Sequence, residues 1–141
     1  YLTENGRTQL RYNSGTKLET TSGGVAVTGA LTATGDITAY FSDERLKDFD
    51  GKIEGALDKV SQLNGYYYRE NDKAKELGFE NDDRQVGVSA QEVEAVLPEV
   101  IKPAPVDPEY KTVQYEKLVP LLIEAIKELK EEVRQLKESK A

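Results

Sequence analysis

The chain of 141 residues contains no cysteine, histidine, methionine or tryptophan. Without cysteine and histidine, the sequence excludes disulfides, thiol catalysis, imidazole acid–base chemistry and ordinary zinc sites, so we expect no metal and no cofactor. Because there is no methionine, we expect the sequence to be part of a longer protein. No apolar run approaches the length of a membrane span, and we recognise no signal peptide, so we predict no membrane partner.

Positive charge is also scarce. The chain has 19 basic and 26 acidic residues, which gives a formal net charge of −7. Phosphate binding needs clustered lysine and arginine, whereas the basic residues here are scattered among acidic neighbours, so we predict no nucleic-acid partner. Only 38% of the residues are apolar. The chain is therefore expected to gain part of its core by self-association.

Residues 1–41 are rich in Gly, Thr, Ser and Asn, and show almost no helix signal. From Val25 to Phe41 the odd positions are apolar or glycine, while the even positions are mostly Thr, Ala or Asp. This period of two predicts half-buried strands. One such ribbon is too thin to be stable alone, so we predict a fibre stem whose apolar stripe meets copies of itself. A Gly/Thr-rich disordered linker is the alternative.

The composition changes at Ser42, where Ser42 and Asp43 are good helix N-caps and Glu44 suits a helix N-terminus. Apolar residues at helical spacing, namely Ile53, Ala56, Leu57 and Val60, predict a helix that ends near Asn64-Gly65. The other predictions for this region are a strand at Tyr66–Tyr68, a polar loop or arm at 71–84, a strand at Val86–Val88, a helix at Ala90–Leu97 closed by Pro98, a proline-stiffened connector at 102–108, and a strand or helix lead-in at Thr112–Tyr115.

The tail, residues 116–138, carries the strongest structural pattern. Its apolar positions alternate in steps of four and three, which is typical of a coiled-coil seam. The seam residues are Leu122, Ile126, Leu129, Val133 and Leu136. An amphipathic helix that packs on its own domain is the alternative. β-Branched residues at one seam position and leucine at the other favour dimers in simple peptides, so the seam alone does not specify a trimer.

A serine and a lysine, Ser42 and Lys47, lie five residues apart at the composition boundary. Such a pair can act as nucleophile and base if the lysine is neutral, which requires the ordinary lysine pKa of about 10.4 to fall by roughly 2–3 units. The nearest substrate is the peptide bond between Phe41 and Ser42, which the serine hydroxyl could attack in an N-to-O acyl shift. A helix cap followed by a solvated lysine is the competing interpretation.

Helical geometry restricts this idea. Two residues five apart on a continuous α-helix are separated by about 140°, so Ser42 and Lys47 would not share a face. We therefore expect one of three arrangements: Ser42 lies outside the helix as a cap, the chain is irregular, or the lysine comes from a neighbouring subunit.

Several motif blocks follow one another in order along the second part of the chain. They are Ser42-Asp43-Glu44-Arg45-Leu46-Lys47, Leu63-Asn64-Gly65, Gly87-Val88-Ser89-Ala90-Gln91-Glu92-Val93, Leu97-Pro98-Glu99-Val100, Val113-Gln114-Tyr115 and residues 122–129. In this order the blocks resemble one family, the C-terminal intramolecular chaperone of bacteriophage endosialidases, tail spikes and long tail fibres. The same module occurs in a membrane-bound myelin regulatory transcription factor.

The resemblance implies a self-cleaving homotrimer that registers its own fibre stem and then releases itself between Phe41 and Ser42. It implies that Ser42 is the nucleophile and Lys47 its partner, with Asp43, Arg45 and Gln91 as candidate assisting residues whose role could equally be structural. Segment 71–84 would match protruding loops that embrace the stem. Ser89 departs from the family, which usually has an apolar residue there.

The expected fold class is therefore α+β. A β-rich stem, 1–41, precedes a mixed domain, 42–141, whose long C-terminal helix forms a trimeric coiled-coil bundle. We expect the stem in the virion tail fibre and the released domain in the host cytoplasm. A host receptor is a candidate partner of the parent fibre.

Two other functions stay open. One is a non-catalytic trimeric fibre tip that binds a host receptor, with Ser42 only a helix cap. The other is a regulatory oligomerisation domain of a membrane-associated protein, which would fit the tail but not the Gly/Thr-rich stem.

Overall fold

The computed structural model describes residues 6–39 and 42–140. These residues belong to two compact units, Tyr1–Asp48 and Phe49–Ala141. The chain has the predicted mixed α and β character with a long C-terminal helix. The predicted trimeric bundle concerns three chains and stays a prediction.

The first unit contains an antiparallel sheet of three consecutive strands, β1 (Gln9–Tyr12), β2 (Gly15–Thr21) and β3 (Gly24–Val27). The β1–β2 connection is a two-residue turn in which Asn13 and Ser14 have φ of 45° and 63°. Two-residue hairpins favour this left-handed backbone because its twist matches that of the strands. Strands β1 and β2 were not predicted, because the alternating pattern in the sequence begins only at Val25.

The two faces of this sheet differ in chemistry, because residues directly opposite each other on paired strands share a face. Leu10 is opposite Leu18, and Leu18 is opposite Val27. The other face carries charge, since the Glu19 carboxylate accepts a hydrogen bond from Gln9 and pairs with Arg7 at 3.3 Å. On the apolar face, Leu10 and Val27 are 62% and 41% exposed among the described residues.

The predicted strand pattern from Val25 to Phe41 is wrong over most of its length. Beyond β3, residues 28–39 form no strand, and Phe41 lies outside the described residues. Leu31 and Ile37 are about 70% exposed, at 70% and 69%. Alternating side chains favour an extended chain, but a strand also needs a neighbour for its backbone hydrogen bonds. Among the described residues, the backbone of this stretch pairs only at Thr28, whose N–H donates to the Lys17 carbonyl at 2.9 Å.

The second unit contains the remaining helices and strands, in the order α1 (Ala56–Ser61), β4 (Tyr66–Tyr68), α2 (Asp72–Glu76), β5 (Gln85–Gly87), α3 (Ala90–Val96), β6 (Ile101–Pro103), β7 (Lys111–Val113) and α4 (Val119–Ser139). Strands β4 and β5 form one antiparallel pair, and β6 and β7 form another. Short 3₁₀ turns lie at Pro98–Val100 and Tyr115–Leu118.

A cluster of buried apolar residues lies between α1 and α4. Ala56 and Leu121 are fully buried and Ala125 is 4% exposed. Partly buried side chains surround them: Ile53, Val60, Leu63 and Leu97. Because residues four apart share a helix face, Leu121 and Ala125 direct one side of α4 onto α1.

Two sequence predictions here need correction. The helix expected from Ile53 begins only at Ala56, because Gly51 and Gly55 have φ of 135° and 60°, which a right-handed helix excludes. The 71–84 segment is not only a loop, since it contains α2, which the side chain of Asn71 caps.

The proline-rich connector predicted at 102–108 is also wrong in its first part. Residues Ile101–Pro103 form β6, which pairs with β7 in the register Ile101 to Val113. The backbone N–H of Ala104 donates to the carbonyl of Tyr110 at 2.8 Å, which closes the hairpin. A proline is tolerated at position 103 because both strands of a two-stranded sheet are edge strands.

Candidate active site

The chain next to the composition boundary at Ser42 forms one 3₁₀ turn, Glu44–Leu46, which lies in the first unit. Asp43 is its N-cap, and the Asp43 carboxylate accepts a hydrogen bond from the backbone N–H of Arg45 at 2.9 Å. The turn then ends, because Lys47 has an extended backbone (φ −135°, ψ 138°). The predicted cap is thus present, but it starts a single turn instead of a long helix.

Asp43 and Arg45 also form a two-pronged ion pair. Arg45 Nη2 lies 2.6 Å from Asp43 Oδ2, and Arg45 Nε lies 3.0 Å from Oδ1. The guanidinium, together with the backbone N–H of Arg45, lowers the pKa of the Asp43 carboxyl below its usual value. The same carboxylate raises the pKa of Arg45. The assisting residues proposed at 43 and 45 are therefore in contact.

Ser42 precedes this turn and Lys47 follows it. The chain between them is irregular, since a single 3₁₀ turn replaces the helix that would have placed the two residues on different faces. Both residues are exposed in the single chain. Phe41, whose carbonyl is the predicted target, lies outside the described residues.

Gln91, the third candidate assisting residue, lies in the second unit at the start of α3. Ser89 is the N-cap of this helix: its hydroxyl accepts from the backbone N–H of Glu92 at 3.4 Å and donates to Gln91 Oε1 at 3.3 Å. The departure from the family at Ser89 thus supplies a helix cap. A serine three residues before a glutamate is a capping signal that the sequence offered.

Glu92 was missed by the sequence analysis. Its carboxylate accepts hydrogen bonds from the backbone N–H of Asn64 at 3.0 Å and from the Tyr66 hydroxyl at 2.5 Å. Chiefly through the Tyr66 hydroxyl, these donors lower the pKa of Glu92, while the carboxylate raises that of Tyr66. Glu92 therefore ties α3 to the segment between α1 and β4.

The five predicted seam residues all lie on α4, and each is at least 41% exposed in the single chain. Val119, which is 52% exposed, continues the same three–four spacing by one position toward the N-terminus and was not predicted. The seam is distinct from the face that packs on α1. As the alternative predicted, α4 packs on its own domain, but it does so through Leu121 and Ala125 and leaves the seam residues exposed in the single chain.

Two absences concern the described residues only. Across 6–39 and 42–140, no group of three or more acidic, histidine or cysteine side chains is arranged to hold a metal ion. In the same ranges no helix has the length and apolar character needed to cross a membrane.

Comparison with known proteins identifies the class of this segment. Residues 42–102 match a family model that carries a peptidase name and is described as "chaperone of endosialidase". The matched segment begins at the serine that precedes the 3₁₀ turn and runs into β6. Residues 42–102 are therefore similar to the endosialidase-chaperone family.

The relatives are bacteriophage proteins. The chain is similar to the long tail fiber protein Gp37 of Enterobacteria phage K3, with 42% identity over 97 residues, which cover 67% of this chain and 8% of that protein. It is also similar to Gp37 of Enterobacteria phage M1, with 39% identity over 99 residues, covering 68% of this chain and 38% of that protein. The chain thus spans less than a tenth of the K3 protein and well under half of the M1 protein.

Proposed function

We propose that this chain is an intramolecular chaperone of a phage tail fibre: it trimerises, registers the stem, and cuts itself off between Phe41 and Ser42. The observation that carries the proposal is that the family match starts at Ser42, where the predicted nucleophile stands. The relatives named as long tail fiber proteins support a fibre stem as the client and a virion tail as its location.

Uncovered apolar surfaces support self-association. The seam on α4 is free because Leu121 and Ala125, on a different side of the helix, already contact α1. Leu10 and Val25, on the apolar face of the stem sheet, are 62% and 60% exposed. Exposed apolar patches of this kind mark interfaces, and identical chains held in parallel would present the same surfaces at the same height.

The proposed reaction uses the chain's own groups. The Ser42 hydroxyl attacks the Phe41 carbonyl carbon while neutral Lys47 takes the hydroxyl proton. The peptide C–N bond breaks, the Ser42 amine leaves with a proton from Lys47, and an ester joins Phe41 to the serine oxygen. Water then hydrolyses the ester, which gives a carboxylate on Phe41 and restores the hydroxyl. Because nucleophile and target are adjacent in the chain, no separate substrate has to be bound.

Cleavage also explains how a chaperone can make a fibre durable. Registration of three interwound strands involves contacts far apart in sequence, which form slowly. A helical trimer raises the effective concentration of the strands. Removal of the helical domain afterwards blocks the return path, so the stem persists kinetically.

Mass spectrometry of the freshly made chain tests the proposal. We expect one fragment that ends at Phe41 and another that begins at Ser42. Ser42→Ala should abolish cleavage without preventing trimerisation. Lys47→Arg should be equally inactive, because a guanidinium stays protonated. Intact chains that persist in a folded trimer, or a Ser42→Ala chain that is still cut at the same bond, would refute self-cleavage by this serine.

Assembly is tested by Ile126→Asp and Leu129→Asp, which place a charge in the seam. We expect both variants to sediment as monomers and to remain uncut, because cleavage should follow assembly. Glu132→Gln, which changes charge on the same helix without touching the apolar seam positions, is the control and should still form trimers. A monomeric variant that is cut at the parent rate would separate cleavage from assembly.

The alternative of a non-catalytic fibre tip keeps trimerisation but predicts an unbroken Phe41–Ser42 bond. It also predicts binding of the intact trimer to host cells.

A further inference from the structure

The 42–50 segment is rich in charge and exposed in the single chain. It contains four carboxylates, Asp43, Glu44, Asp48 and Asp50, and two cations, Arg45 and Lys47. All four acids therefore lie within four residues of Lys47 in sequence. Yet in the described part of the chain the Lys47 side chain forms no ion pair. Arg45, in contrast, donates to the Asp43 carboxylate from both Nε and Nη2.

The turn brings Asp43 and Lys47 to its two ends. The backbone N–H of Leu46 donates to the Asp43 carbonyl at 3.1 Å, and that of Lys47 donates to the Glu44 carbonyl at 3.2 Å. Only one turn therefore separates Asp43 from Lys47. Without Arg45, the Asp43 carboxylate would be an available partner for the lysine ammonium.

Such a pairing would oppose the proposed chemistry. A carboxylate within about 4–6 Å favours the charged form of a lysine, and a charged lysine cannot take the serine proton. We expect the Asp43–Arg45 ion pair to add little to the stability of the fold, because the Arg45 side chain is 84% exposed and exposed ion pairs are weak.

We propose that Arg45 is a positioning residue for self-cleavage, which holds Asp43 in an ion pair of its own and so keeps that carboxylate away from Lys47. This inference rests on the proposed function. It assigns different tasks to the two cations of the turn: Lys47 exchanges the proton, and Arg45, which stays protonated throughout, occupies the neighbouring acid. The remaining acids Glu44, Asp48 and Asp50 are present in every variant below and serve as a constant background.

The test is the pH dependence of cleavage in the full chain. The uncut precursor is purified in denaturant, refolded under mildly acidic conditions and transferred to buffers between about pH 6 and 10, and the cleavage rate is measured by mass spectrometry. In Arg45→Ala, Asp43 Oδ1 still accepts from the backbone N–H of residue 45, but Oδ2 loses its cation and becomes available to Lys47. The midpoint of the pH–rate profile should therefore rise, and cleavage near pH 7 should slow by about three- to tenfold.

Two further variants separate this effect from a structural one. Asp43→Asn/Arg45→Ala removes the released charge and should return the midpoint to that of the parent chain, although it lacks the ion pair altogether. Asp43→Asn alone keeps an acceptor for the cap and leaves Arg45 as a free cation near Lys47, so its midpoint should move to lower pH. Arg11→Ala, with the same loss of charge elsewhere in the first unit, should keep the parent midpoint.

An unmoved midpoint in Arg45→Ala, or a double variant that fails to restore it, would overturn the inference. If Arg45→Ala does not assemble, Asp43→Asn decides, and a midpoint that stays or rises would count against us. Ser42→Ala distinguishes a failure of the role assigned to Arg45 from a failure of self-cleavage by Ser42. If that variant is inert while Arg45→Ala keeps the parent profile, only the role of Arg45 is refuted; if it is still cut, the proposed function falls with it.

Discussion

Glu128 caps helix α1 at Leu57, from which it is separated by 71 residues: Oε2 of Glu128 accepts the backbone N–H of Leu57 at 2.7 Å. Oε1 accepts the N–H of Ala56 at 3.0 Å. The residue at the usual capping position, Gly55, has no side chain to offer. A carboxylate at a helix N-terminus satisfies unpaired N–H groups and complements the helix dipole. Through Glu128, the long helix therefore fixes the start of α1.

Glu128→Gln should lower the urea midpoint of unfolding, because the amide carries no charge and can offer one acceptor oxygen instead of two. Far-UV circular dichroism at low protein concentration would measure it. Glu99→Gln, which changes an exposed glutamate with no side-chain partner among the described residues, should leave the midpoint unchanged. Equal midpoints for the two variants would show that Glu128 does not cap α1.

Acid should destabilise the second unit through the same residue. Hydrogen bonds from Leu57 and Ala56 lower the pKa of Glu128, and that of Glu92 is lowered chiefly by Tyr66. Carboxyls whose pKa is lower in the folded chain stabilise it fully above their unfolded pKa and lose this effect as pH falls through the folded value. Unfolding midpoints should thus fall below about pH 4.5, the ordinary glutamate value, and Glu128→Gln should flatten the decline.

Glu131 should lose its ionisation last. Arg134 and Gln135 lower the pKa of Glu131 to about 2. The ion pairs of Arg134 with Glu131 and Glu138 lie on the surface of α4. We therefore expect them to persist at the pH at which Glu128 becomes protonated, and to be weakened by salt instead. Measuring helicity against pH in low and high salt separates the two groups. A single transition near the ordinary glutamate pKa in both salts would contradict this order.

Leu121 and Leu122 are neighbours with opposite expected roles. Leu121 is fully buried against α1, so Leu121→Ala should cost about 2–5 kcal/mol of the free energy of unfolding. Leu122 is 46% exposed in the single chain. Leu122→Ala should change unfolding of the monomer little but weaken assembly in sedimentation experiments. Similar effects of the two substitutions on both measurements would show that α4 has no separate seam.

Position 87 requires glycine because the side chains of Tyr115 and Tyr68 lie close to its backbone. An added Cβ would lie 2.9 Å from the Tyr115 hydroxyl and 3.1 Å from a ring carbon of Tyr68. Gly87→Ala should therefore destabilise the domain by about 1–3 kcal/mol. Adding Tyr115→Phe removes the nearer atom but also the hydroxyl that accepts from the Val88 N–H at 3.2 Å, so only part of the loss should return. An unfolding midpoint of Gly87→Ala equal to that of the parent would contradict the contact.

Local pattern explains which elements the sequence predicted well. Residues Tyr66–Tyr68, the α3 helix before Pro98 and the long tail helix all appear close to their predicted bounds. Each combines intrinsic preference with a clear stop or a sustained period. The Asp43 cap was equally local, because the signal and the group it serves are two residues apart.

The errors arose where a distant part of the chain decides. Alternation predicted strands across residues 28–39, but strands require hydrogen-bonding neighbours, which the sequence pattern does not reveal. Residues Ile101–Pro103 became a strand despite their proline because β7 folds back beside them.

By itself, the sequence determined the chemical inventory of this protein, the change of composition at Ser42 and the apolar seam of its tail, because these depend on residue type and short-range spacing. Only the tertiary structure decided which side of α4 packs on α1, that Glu128 caps α1, and that Arg45 forms an ion pair with Asp43. Those outcomes depend on which groups meet in space, and hydrogen bonds and ion pairs form only within a few ångströms.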